Sequence, residues 1–225
     1  MYKSDTEAKN AIIAAGKKLY ARGFVAANDG NITARMEDGT LWATPTGVSK
    51  GDLREDMLVH LTMDGKILEG TWKVSSEVAL HIAIYEKNPQ LGGIVHAHCP
   101  GATAWAATGQ DWDLAICLDS ALNLGVVPCV PYATTGSKAL AETAAPYSVG
   151  HTALLLEHHG AVTWGTDVQQ ALFRMESLEQ TFLIYGHMRE FGEVRLLSES
   201  QLDEIEEVKK KYGIVNPRAK GRPDD

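Results

Sequence analysis

Two apolar runs organise the chain: Leu91-Gly-Gly-Ile-Val-His-Ala-His98 and Ala153-Leu-Leu-Leu-Glu-His-His-Gly160. Both predict buried strands that stop at imidazoles. Around them, turn and cap residues mark further elements. Ser4-x-x-Glu7 is a capping-box pattern that opens a helix to about Arg22, stopped by Gly23. Asp38-Gly39 predicts a hairpin between 32–35 and 41–43, and Asp64-Gly65 a second one within 57–68. Ser75 or Ser76 is expected to cap a helix carrying Glu77, Leu80, His81 and Tyr85, which ends before Pro89. A helix over 101–107 and a strand-like stretch over 125–131 follow, the latter leading through Tyr132–Gly136 into a short helix. Thr166-x-x-Gln169 opens a long helix to about Arg189, and Ser198-x-x-Gln201 opens the last one, stopped by Gly213.

The chain shows no internal repeat, low-complexity block or linker. Hairpins early and helix–strand alternation later predict a single three-layer α/β/α domain over 1–215. Its central sheet is expected to be mixed and largely antiparallel. Residues 216–225 read as a flexible C-terminal tail.

Composition narrows the function classes. The chain has 225 residues, 44% apolar and 22% charged, the values of a globular protein with a full core. A net charge of −8 argues against a nucleic-acid or anionic-membrane partner. The basic stretches, Lys209-Lys-Lys211 and Arg218 to Arg222, read as a solvated helix end and tail. Every apolar run is too short to span a membrane, and no leader segment is visible. Cys99, Cys117 and Cys129 are odd in number and form no CxxC pair, which predicts a reducing, cytoplasmic setting. Cys99 follows His98 and, by strand alternation, is expected to face away from the histidines.

The chemistry lies in the histidines. Side chains alternate along a strand, so His96 and His98 point to one face. Two imidazoles with a third from another strand end make the ligand set of an open catalytic metal site. His159 and His158 compete for the third position. Glu77 follows two serines at a helix start, where hydroxyls and free N–H groups can cradle an anion. Gly30-Asn31 and Thr46-Gly47 are two further turns rich in neutral donors.

Asn28-Asp-Gly-Asn31, Thr44-Pro-Thr-Gly47, Ser75-Ser-Glu77, His96-Ala-His98, Pro131-Tyr-Ala-Thr134 and His158-His-Gly160 occur in this order. Together they resemble the class II aldolase family of L-fuculose-phosphate aldolase and L-ribulose-5-phosphate 4-epimerase, over about residues 5 to 213. The resemblance implies a Zn2+ ion (or Mn2+, Co2+ or Fe2+) on His96, His98 and His159, the histidine before glycine being the family's ligand. It implies that Gly30, Asn31, Thr46, Gly47, Ser75 and Ser76 bind the phosphate of a sugar phosphate and that Glu77 is the base. Tyr212 resembles a functional tyrosine of the family's C-terminal segment. A cyclic homotetramer with sites at subunit interfaces is also implied.

The implied reaction is reversible cleavage of a ketose 1-phosphate, fuculose- or deoxypentulose-like, to dihydroxyacetone phosphate and an aldehyde. The match departs from the family aldolase in the aldehyde region. No tyrosine stands between Tyr85 and Tyr132, Leu118 lies near the position of the family's proton donor, and Thr135 replaces a phenylalanine. Pentulose-5-phosphate 4-epimerisation and a related sugar-phosphate dehydratase or decarboxylase are the alternatives. Glu77, where epimerases carry Asp, favours the aldolase. An adducin-like interaction module on the same fold is the non-enzymatic alternative. His81, four residues after Glu77 on one helix face, is expected to pack or to support the site rather than to ligate.

Overall fold

The structure, a computed structural model, describes residues 1–224. Its strands are β1 (Asn31–Arg35), β2 (Leu41–Ala43), β3 (Val59–Leu61), β4 (Ile67–Glu69), β5 (Gly93–Ala97), β6 (Cys129–Val130), β7 (Ala153–Leu156) and β8 (Gly160–Gly165). Its helices are α1 (Asp5–Ala21), α2 (Val78–Lys87), α3 (Pro100–Ala106), α4 (Leu118–Asn123), α5 (Lys138–Ala144), α6 (Val168–Phe191) and α7 (Glu199–Tyr212). The strands form one sheet in the order β4-β3-β2-β1-β5-β8-β7-β6, with only the β6–β7 pairing parallel.

Alternation along the strands builds two cores. Ile32, Val95, Leu155 and Ala161 face Ile12 and Leu19 of α1, Ala102 of α3 and Leu178 of α6. Their strand neighbours Ile94, Leu154, Leu156 and Val162 face Leu80 and Ile84 of α2 and Leu140 of α5. Each buried aliphatic side chain contributes roughly 1.5–3 kcal/mol, so both sheet faces must be covered, and the three-layer α/β/α fold follows. Among the described residues, no helix is long and apolar enough to cross a membrane.

Local chemistry sets the helix ends. The Ser4 hydroxyl accepts from the Glu7 N–H, and Ser198 with Gln201 closes a full capping box. Gly213 ends α7 at φ 65°, a left-handed conformation that costs glycine nothing. The α6 cap falls one residue later than the sequence pattern suggests: Asp167, not Thr166, accepts from the Gln170 N–H.

Two elements differ from the sequence expectation. The 153–160 run is not one strand ending in histidine: β7 stops at Leu156, and the chain turns back as β8, which the pattern did not reveal. Ala161-Val-Thr-Trp164 is buried on both faces and shows no polar–apolar alternation. Helix α4 was also not anticipated. The stretch read as a flexible tail carries ordered contacts over 216–224. Lys220 accepts from the Ala115 N–H, the Arg222 N–H donates to Leu197, and Ala219 is buried against Leu202 and Ile205.

Candidate metal centre and active site

The site grows from the central strand pair. In register, Asn31 of β1 lies opposite His96 of β5, and His96 lies opposite Val162 of β8. Paired residues share a face, so Asn31 and His96 both point toward α2. His98 follows two residues on, just past the end of β5, and His159 comes from the β7–β8 turn. His158 takes φ 57°, a left-handed conformation rare for a residue with a side chain, and stays exposed. The turn thus presents His159, and not its neighbour, to the other two imidazoles.

The three ligand nitrogens all lie within 4.8 Å of one another. His96 Nε2 and His98 Nε2 are 3.1 Å apart. His96 Nδ1 is 2.9 Å from the Ala161 carbonyl oxygen, so it must donate there, and its Nε2 lone pair faces the cluster. Burial and the neighbouring imidazoles hold the His96 pKa down at about 4. Burial likewise lowers that of His159. Imidazole nitrogens that converge in this way can hold a cation between them. Three protein ligands with one side open are the arrangement of a catalytic divalent-metal site rather than a closed structural one.

Glu77 completes the centre. It is the cap residue of α2, and its own side chain makes no cap bond; instead its N–H donates to Ser75 Oγ at 3.4 Å. The sequence expectation placed the cap on a serine. With Glu77 in that position, the carboxylate stands outside the helix and turns toward the sheet. Its Oε2 accepts from Asn31 Nδ2 at 2.7 Å and lies 3.3 Å from His96 Nε2. Its Oε1 lies 3.4 Å from His159 Nε2 and has no hydrogen-bond donor. Burial raises the Glu77 pKa, but attraction to the His96 and His159 imidazoles outweighs it, lowers the pKa to about 2 and keeps the group ionised. The ionised Glu77 carboxylate beside three imidazole nitrogens is a donor set that suits a cation.

The donor turns converge on the same end of the sheet. The Thr44 hydroxyl accepts from the Ile32 N–H, the Thr46 N–H donates to Lys73, and the Ser75 N–H donates to Thr44. Pro45 bridges Val74. The turns bearing Gly30-Asn31, Thr46-Gly47 and Ser75-Ser76 therefore lie side by side. Gly30 has φ 73°, and a Cβ there would sit 2.8 Å from the His96 carbonyl oxygen, so only glycine lets this turn press against β5.

Tyr212 lies elsewhere. It is 67% exposed, beside a groove that also includes Ser148, His151 and Trp164–Thr166. Gly165 pairs with Gly93, three residues or about 10 Å along β5 from His96, so the groove belongs to the far end of the strands. Cys99 is buried on the α6 side, facing away from the imidazoles, as alternation requires.

His81 is fully buried, with Nδ1 2.8 Å from Thr33 Oγ1. It supports α2 and is not one of the clustered ligands. Two neighbours of the site carried no role in the sequence reading. Asp29 Oδ2 lies 3.4 Å from His98 Nδ1, and the Lys50 ammonium lies buried behind the 28–31 turn. Asp29 stands inside the Asn28–Asn31 motif, which was its only signal. Nothing in the local pattern marks Lys50 as buried.

Fold and site together define an α/β/α protein with a three-histidine centre of the kind that takes a divalent metal. Residues 10–185 match the model of the Class II Aldolase and Adducin N-terminal domain, and the chain belongs to that family. It is 32% identical over 206 residues to 5-deoxy-D-ribulose 1-phosphate aldolase of Bacillus thuringiensis serovar kurstaki, covering 91% of this chain and 94% of that protein. It is 30% identical over 217 residues to 3-oxo-tetronate 4-phosphate decarboxylase of Haemophilus influenzae, covering 90% and 98%. Among solved structures, an L-fuculose 1-phosphate aldolase superposes with a TM-score of 0.84 at 27% identity, covering 92% of this chain and 98% of that one.

Proposed function

We propose that this chain is a divalent-metal-dependent aldolase that reversibly cleaves a ketose 1-phosphate to dihydroxyacetone phosphate and an aldehyde. The observation that carries the reading is the Glu77 carboxylate, free of any cap bond and 3.3–3.4 Å from two of three converging imidazoles. A Zn2+ ion (or Mn2+, Co2+ or Fe2+) held by His96, His98 and His159 would supply Lewis-acid stabilisation of the negative charge that develops on the substrate oxygens.

The protein's own groups do the rest. In the synthetic direction Glu77 takes a proton from the hydroxymethyl carbon next to the ketone; in cleavage it returns it. Asn31 holds the carboxylate toward the sheet through its 2.7 Å hydrogen bond. Gly30, Asn31, Thr46, Gly47, Ser75 and Ser76 bind the phosphate through hydroxyls, amide groups and the α2 N-terminus. Tyr212 is too far from the histidines of its own chain to take part there. It serves a site only as the contribution of a neighbouring subunit, which accords with a homotetramer whose sites lie at interfaces. The likeness to a 5-deoxy-D-ribulose 1-phosphate aldolase supports a deoxypentulose 1-phosphate over a fuculose phosphate.

A second reading is decarboxylation of a 3-oxo sugar-acid phosphate. The nearly equal identity to the decarboxylase favours it, as does the lack of a tyrosine between Tyr85 and Tyr132. A pentulose-5-phosphate 4-epimerase, against which Glu77 stands, and a sugar-phosphate dehydratase are the remaining alternatives.

The test is proton exchange on dihydroxyacetone phosphate in heavy water, read by NMR on metal-loaded protein without aldehyde. Stereospecific loss of one hydroxymethyl proton signal is expected. A Glu77→Gln variant that still holds metal should lose the exchange by about 10²–10⁴, the usual contribution of a positioned base. Exchange that continues unchanged in the variant removes Glu77 as the base. Release of carbon dioxide from a 3-oxo-tetronate 4-phosphate, with no exchange, moves the assignment to the decarboxylase.

A further inference from the structure

Lys50 has no role in the site described so far, yet it is 1% exposed, and a buried lysine needs partners. It sits in a short 3-10 turn three residues after Gly47. Its ammonium donates to the carbonyl oxygens of Asn28 at 3.0 Å and of Val48 at 2.7 Å. Burial lowers its pKa to about 8, while the Asp29 carboxylate favours the charged form. Its backbone is fixed by close packing: a Cβ on Gly16 of α1 would lie 2.6 Å from the Lys50 carbonyl oxygen, and Gly51 packs under the Tyr20 ring.

The two carbonyls belong to the two turns that flank the proposed phosphate site. The 28–31 turn reaches the rest of the centre at every position. Asn28 accepts from Lys50, and Asp29 lies against His98. Gly30 abuts the backbone of His96, and Asn31 donates to Glu77. The donors proposed for the phosphate are neutral, so the Lys50 ammonium is the buried positive charge next to them.

We propose that Lys50 is a positioning residue for the phosphate cradle. It clamps the 28–31 turn to the 46–48 turn and places one positive charge behind them, which tunes the site to a dianionic phosphate monoester. This rests on the reading of Gly30, Asn31, Thr46 and Gly47 as phosphate-binding.

The experiment compares metal-loaded wild-type protein with Lys50→Met, which keeps an unbranched stem one atom shorter but loses charge and donors, and with Lys50→Gln, which keeps a donor. Calorimetry with inorganic phosphate gives the anion affinity. Kinetics with a ketose 1-phosphate and with the unphosphorylated ketose give the preference for phosphate. Loss of a charge-assisted contact predicts phosphate binding at least about tenfold weaker in Lys50→Met, the preference for the phosphorylated substrate falling by the same factor, mainly through KM. Lys50→Gln should lie between, and it carries the comparison if the methionine variant does not fold. A purely structural lysine would lower both substrates' turnover together and leave the preference unchanged, and that result overturns the proposal. Wild-type protein that binds no phosphate overturns the cradle reading itself, a different failure from equal binding by wild type and both variants.

Discussion

Thr33→Val tests the buried seam that seats α2 on the sheet. Thr33 Oγ1 is 2.8 Å from His81 Nδ1 and 3.0 Å from the Tyr85 hydroxyl, which also donates to the Thr33 carbonyl at 3.1 Å. Thr33, His81 and Tyr85 are all buried. Valine keeps the shape of threonine and removes only the hydroxyl. Tyr85 retains its carbonyl partner, but His81 is left with none, because its Nε2 already lacks one. An orphaned buried polar group costs about 1–3 kcal/mol, offset by up to about 0.8 kcal/mol for the added methyl. With the full offset the net loss is about 0.2–2.2 kcal/mol. At about 2–4 °C per kcal/mol for a chain of this size, the metal-free protein should melt lower by up to about 9 °C. His81 lies one turn beyond Glu77 on the same helix, so the loosened helix start should lower kcat more than it raises KM. The assay is calorimetric melting of chelator-treated protein, with Thr33→Val, His81→Leu and the double variant forming a cycle. The two sites should couple by about 1 kcal/mol, the double variant losing less than the sum of the singles. A melting point within 1 °C of wild type, together with additive losses, would refute the seam.

Glu179 of α6 accepts from the Gly101 and Ala102 N–H groups at 2.8 and 2.9 Å, fixing the start of α3 just after His98. Glu179→Gln should cost about 1–2 kcal/mol in chemical unfolding, since the amide end cannot accept; an unchanged urea midpoint would contradict this. Burial holds the His81 pKa at about 3, whereas the unfolded chain takes up that proton near 6.5. Its contribution to stability is thus present above about pH 6.5 and is lost as pH falls toward 3, at up to about 1.4 kcal/mol per pH unit. Urea unfolding of metal-free protein between pH 6 and 4 should show this slope shrink in His81→Leu, and identical slopes in the two proteins would refute it. His159→Ala should leave two of the three imidazoles, so metal retained after desalting, read by elemental analysis, should fall well below stoichiometric. Full retention would remove His159 from the ligand set.

Sequence alone determined most of the element plan, because its signals are local. Ser4 with Glu7, Ser198 with Gln201, and Gly213 act within a single turn of helix, and Asp38-Gly39 acts within one hairpin. The His96/His98 pair was legible for the same reason: period-2 alternation needs only neighbours. Three things required the tertiary structure. The first was strand β8, buried on both faces and so without alternation to read. The second was the role of Glu77, where the cap position freed a carboxylate that sequence could only place near a helix start. The third was Lys50, whose partners are the carbonyls of Asn28 and Val48. Strand pairing sets Asn31 against His96 across 65 residues, and the β7–β8 turn brings His159 to them; no local rule encodes such closures. Local propensities fix which elements form, while the convergence of β1, β5, the β7–β8 turn and the start of α2 comes only when both sheet faces are buried together.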